Sequence, residues 1–127
     1  MTFVWLLLGL AGGMLFVALV RQRRRSYYVG LVVAAFIYLL FAMMNGAEPI
    51  WIMAEFGGVF LFSMIGRVGL HRNIAVLGVA WLLHPVWDVA LHLFGPGASF
   101  TPSWYPLACI TFDGWVGVYL ISQRDRL

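Results

Sequence analysis

Lysine is absent from this chain, cysteine occurs once, and only five of 127 residues are acidic. Charged residues make up 10% against 63% hydrophobic, and the mean hydropathy is +0.92. A water-soluble domain is about half apolar and about a quarter charged. This shortage of charge excludes an ordinary soluble fold and points to an integral membrane protein, with residues 1–127 as a single transmembrane helical domain. The lone Cys109 excludes an internal disulfide and any multi-cysteine metal cage. Three histidines are also too few for the multiple-histidine boxes of membrane di-iron enzymes.

What the chain does have is long apolar runs. A helix needs about 17–25 residues to cross a bilayer, and five runs qualify: about 2–20, 27–44, 49–66, 73–94 and 105–122. Short polar separators divide them, and the third and fifth begin at or just after a proline, which suits a first helical turn. The expected fold is all-α, an integral membrane bundle of five transmembrane helices. The first run has no basic residue before it and arginines after it, the order of an uncleaved first span with its N-terminus outside.

All eight cations are arginines. Arg21, Arg23, Arg24 and Arg25 follow the first span, Arg67 and Arg72 lie between the third and fourth, and Arg124 and Arg126 follow the fifth. Five spans put all of them on one side, which the positive-inside rule makes cytoplasmic. The expected protein is therefore a multi-pass protein of the cell membrane, of the bacterial inner-membrane kind, with its C-terminus in the cytoplasm. The net charge of +3 is accounted for by insertion and by membrane lipids with anionic headgroups, and no nucleic-acid partner is expected.

The acids follow a different pattern. With about 1.5 Å of rise per helical residue, Glu55, Asp88 and Asp113 fall in the outer half of the membrane, with His84 near its middle and His92 near its outer surface. His84, Asp88 and His92 are spaced i, i+4, i+8 and form one helical stripe; Tyr105, Cys109 and Asp113 repeat that spacing. Charged groups at such depth cost several kcal/mol if they face lipid, on the order of 3 each at the centre of a span. The stripes should therefore face one another inside the bundle. Glycine pairs are expected to let helices approach: Gly9 and Gly13, Gly57 and Gly58, Gly114 and Gly117. Pro85 removes a backbone hydrogen bond in the fourth span and should distort it there.

Three kinds of chemistry fit this pattern. The leading reading is a small membrane-embedded enzyme that uses acid–base or metal-assisted chemistry on a lipophilic substrate: an isoprenoid, sterol or lipid. Its pocket would be reached from the outer leaflet. Carboxylates and imidazole in a medium of low dielectric are suitable proton carriers. His84, Asp88, Glu55 and Asp113 are the catalytic candidates, and Tyr38, Asn45, Trp51, Trp81, Trp87 and Tyr105 would bind the substrate, since aromatic faces stabilise cations. A divalent metal is a candidate cofactor, with His84, Asp88, His92 and Glu55 as possible ligands, because His and carboxylate one turn apart can share an ion. The alternatives are a proton- or ion-coupled carrier or channel subunit, whose relays use the same residue types, and a non-catalytic accessory subunit whose polar groups only pin helices. An oligomer, most simply a homo-oligomer, would suit a carrier. Cys109 reads as apolar filler.

The segments HPVWDVALH (84–92) and WYPLACITFD (104–113) together resemble an uncharacterised family of small bacterial multi-span integral membrane proteins. That resemblance implies a membrane bundle and no particular activity. Five spans and a His-x-x-x-acid pair are also loosely similar to the sterol-isomerase membrane family, in which His84 and Asp88 would occupy the matching pair. Glu is usual at the second place there, and the rest of that family's pattern is not matched.

Overall fold

The computed structural model describes residues 1–126, and among them the secondary structure is helical throughout. Five α-helices follow in order: α1 (Thr2–Val20), α2 (Arg24–Met44), α3 (Pro49–His71), α4 (Ile74–Trp87) and α5 (Trp104–Ser122). A π-helical stretch, Asp88–Leu93, continues α4, and a 3-10 turn at Pro96–Ser99 lies in the connection to α5. The ends show why the chain breaks where it does. Arg21 has φ 55°, a left-handed conformation that stops α1. Gly46, at φ 68°, closes α2 with a bond from Ala47 N–H to the Ala42 carbonyl, the pattern of a Schellman cap. Pro49 starts α3 in its first turn, and the Asn73 side chain caps α4 by accepting from Ala75 N–H at 2.9 Å.

Helices run past the apolar segments at the basic end. The second begins at Arg24 rather than Tyr27, and the third continues to His71 rather than stopping at Gly66. Arginine is a good helix former and keeps its charged head in water while its stem follows the helix. Four helical segments are long and apolar enough to cross a membrane: Thr2–Val20, Arg24–Met44, Pro49–His71 and Ile74–Leu93. The fifth helix, α5, has 19 residues and is less uniformly apolar, because it holds Asp113 and several aromatics.

Packing runs in a series, α1 on α5, α5 on α4, α4 on α3 and α3 on α2. The fourth segment is the centre: eight of its 20 residues are buried, against two of 19 in α1. Two glycines, Gly9 and Gly13, are the buried residues of α1, and a Cβ on Gly13 would meet the Phe112 backbone at 2.9 Å. Gly117 and Gly78 let α5 and α4 cross: a Cβ on either would lie 2.8 Å from the other's carbonyl oxygen. Each of the two later glycine pairs expected from sequence contributes only one contact. Gly58 packs under Trp87, whereas Gly57 and Gly114 have nothing within 4 Å and face outward. Gly57 and Gly58 are successive residues, which point about 100° apart on a helix and cannot share a crossing. The core is Tyr27, Leu31, Phe62, Leu77, Trp81, Val116 and Leu120 with their neighbours. Large apolar side chains such as Phe3, Phe56, Phe60 and Val118 cover the outside, as the lipid face of a membrane bundle requires.

Candidate functional site

Five titratable side chains are buried between α3, the α4 segment and α5: Glu55, His84, Asp88, His92 and Asp113, each at most 2% exposed. The two ends of the fourth segment treat them differently. His84 is on the last turn of α4, where its Nδ1 lies 2.7 Å from Asp113 Oδ2 on α5 and 3.3 Å from Asp88 Oδ2. Nδ1 has one hydrogen to give, and the nearer Asp113 takes it. Asp88 then has no hydrogen-bond partner for either oxygen among the described residues.

The distortion expected at Pro85 takes the form of the π-helical stretch that begins three residues later. There the N–H of Phe94 reaches back five residues to Val89. Such widened turns recur at functional sites. A wider turn rotates the chain less per residue, so His92 is turned off the line of His84 and Asp88 towards α3. His92 Nε2 hydrogen-bonds to Glu55 Oε2 there. The ring of Tyr38, from α2, stacks on His92 with centroids 3.7 Å apart and planes 13° apart. Tyr38 is also 5.9 Å from the His84 ring, so it stands between the two polar groups. Phe62 and His84 meet in a T-shaped contact with ring centroids 5.0 Å apart.

His84, Asp88 and Asp113 bring donor atoms within 4.8 Å of one another. Glu55 and His92, named from sequence as metal-ligand candidates, pair with each other instead of completing that group. Besides both Asp88 oxygens, His84 Nε2, Asp113 Oδ1, His92 Nδ1 and the Tyr38 hydroxyl are buried without a protein hydrogen-bond partner. Buried polar atoms are rarely left so. Six such atoms cluster around His84, Asp88 and His92.

The other candidates divide. A cleft of about 300 Å³ opens between α1 and α2 and is floored by α5 and Trp81. Its walls are apolar, among them Phe16, Val33, Ala34 and Phe112, except where Tyr105, Cys109 and Asp113 reach it. Trp81 serves the core as well, since its Nε1 donates to the Tyr27 carbonyl at 3.1 Å. Trp87 packs on Gly58 and beside Phe62 at 6.2 Å. Asn45 is exposed and ties the α4–α5 connection to α2 through the Phe100 carbonyl at 3.1 Å. Trp51 is half-buried near the start of α3 and does not line the cleft. Sequence reasoning passed over Phe62, which is indistinguishable from any apolar core residue. Cys109, read from sequence as apolar filler on the Tyr105–Asp113 stripe, is buried and also lines the cleft.

The chain belongs to a family of unknown function, DUF6010, whose model matches residues 3–125. That match is consistent with the likeness to an uncharacterised family read on residues 84–92 and 104–113. No curated protein matches it, and no solved structure does.

Proposed function

We propose that this member of a family of unknown function is a small membrane-embedded enzyme that acts by acid–base or metal-assisted chemistry on a lipophilic substrate. One observation carries the reading. Asp113 belongs to both halves of the arrangement, hydrogen-bonded to His84 on one side and lining the apolar cleft on the other. Small-molecule pockets are mostly apolar with a few convergent polar groups, and here the polar groups meet the cleft at one carboxylate.

The division of labour follows from position. The cleft takes the apolar body of an isoprenoid, sterol or other lipid between α1 and α2. Asp113 meets the reacting end. His84 holds Asp113 in place and exchanges a proton with it through the 2.7 Å contact. Asp88 adds a second carboxylate behind them. Glu55, His92 and Tyr38 form an adjoining polar group that supports the central helix. Water is kept out by the burial of every one of these side chains, which strengthens each electrostatic contact. In this reading α5 is the fifth span, the arginine-bearing ends lie in the cytoplasm, and the cleft faces lipid in a cell membrane.

The test uses purified protein in liposomes made from the source organism's total lipid extract, with products resolved by liquid chromatography and mass spectrometry. A lipid species that changes with the wild type should be unchanged with Asp113→Asn. It should also be unchanged with Ala34→Phe, which fills the cleft and leaves the polar group intact. No lipid change with the wild type, or full conversion by both variants, refutes the proposal. Proton flux across the liposome wall without lipid conversion favours a carrier.

A further inference from the structure

We infer that His84, Asp88 and Asp113 together hold one divalent transition-metal ion, and that Glu55 and His92 do not ligate it. The inference concerns side chains of the proposed active site but does not need the enzymatic reading, since a bound ion is measurable whether or not a product forms.

Geometry is the first support. Around an ion with bonds of about 2.0–2.2 Å, neighbouring donor atoms sit about 2.8–3.6 Å apart. His84 Nδ1 is 3.3 Å from Asp88 Oδ2, inside that range, and 2.7 Å from Asp113 Oδ2, just below it; all three donors lie within 4.8 Å of one another, so small side-chain rotations close them on one ion. The three donors come from two helices, α5 and the central segment, and the π-helical stretch begins at Asp88 itself.

Charge is the second. Two carboxylates lie in the interior at 0% and 1% exposure, while the arginines gather at the helix ends. One imidazolium balances only one carboxylate, so without an ion the other must take a proton rather than carry an uncompensated charge in such a medium. A divalent ion cancels both carboxylates and leaves the imidazole neutral, the form in which it ligates. Binding releases the hydrogen now shared between Nδ1 and Asp113.

The third support is the missing hydrogen bonds of one donor. Asp88 is fully buried, lies against this group, and has no hydrogen-bond partner for either oxygen. Oxygen and imidazole donors without sulfur suit Zn²⁺, Mn²⁺, Fe²⁺ or Co²⁺. Three protein ligands leave a position open, as in catalytic rather than structural zinc sites, and Asp113 places it beside the cleft. Glu55 and His92 already satisfy each other.

The experiment is elemental analysis of tag-free protein purified in detergent. Wild type and Glu55→Gln should each carry about one ion per chain. Asp88→Asn and His84→Gln should carry at least about tenfold less, since even second-shell changes cost about 10–100-fold in metal affinity. Far-UV circular dichroism and monodisperse elution establish that the variants are folded. A second measurement stands apart from them: Co²⁺ added to chelator-stripped wild type should give a visible ligand-field band that saturates at one equivalent. Absence of both a copurifying ion and a cobalt band overturns the inference. So does an ion that Asp88→Asn and His84→Gln retain, or one that Glu55→Gln loses equally.

Discussion

Gly117→Ala and Gly114→Ala put the same methyl group three residues apart on one helix, and the structure expects opposite results. At Gly117 the new Cβ would sit 2.8 Å from the Gly78 carbonyl oxygen and 2.7 Å from Leu82 Cγ. The oxygen is backbone and cannot swing away, so α4 and α5 must part by about 0.6 Å to reach an ordinary 3.4 Å contact. Overpacking of this kind costs about 1–3 kcal/mol. At Gly114 the methyl meets nothing within 4 Å. The gain in helix propensity from replacing glycine, up to about 1 kcal/mol, is common to both and cancels in the comparison. Gly117→Ala should therefore be less stable than Gly114→Ala by about 1–3 kcal/mol. A site effect should accompany it. A 0.6 Å parting would stretch the 2.7 Å contact between His84 and Asp113 to about 3.3 Å, beyond the usual charge-assisted range of about 2.7–2.9 Å. The assay is loss of helicity on titration with sodium dodecyl sulfate in mixed micelles, followed by circular dichroism. Equal midpoints for the two variants would falsify the helix crossing and, with it, the placement of His84 beside Asp113.

The Glu55–His92 pair should behave as one unit. His92→Leu leaves Glu55 buried without its partner and should cost about 3–5 kcal/mol, whereas Glu55→Leu with His92→Leu should recover most of that loss; additive losses in a double-mutant cycle would show that the two do not interact. Topology is testable by fusion. A reporter that is active only outside the cytoplasm should report at the N-terminus and be silent after Arg126; activity at both ends would mean an even number of crossings, with α5 as the helix in doubt.

Helix number and approximate limits were legible because a bilayer imposes a length and a hydropathy that leave a plain mark on sequence. The burial of His84, Asp88 and Asp113 was legible for a related reason, since an ionisable group at that depth has few other places to go. Their pairing was not. In sequence, Glu55 and His92 were as good a pair of metal-ligand candidates as any. The widened turn after Asp88 sends His92 to α3 while Asp113 comes across from α5, and the spacing of residues gave no sign of that turn beyond Pro85. Asn45 shows the limit from the other side: its bond to the Phe100 carbonyl, which ties the α4–α5 connection to α2, had no mark in the sequence.

The amino-acid order by itself determined that this chain is all-helical, with helices long and apolar enough to cross a membrane, cations at the helix ends and acids largely inside, because transfer free energies act residue by residue. Tertiary structure alone decided which acid meets which histidine, and that an apolar cleft reaches Asp113. Those outcomes depend on how far each helix turns and how closely two backbones can cross, quantities that glycine contacts and one π-helical stretch set in three dimensions.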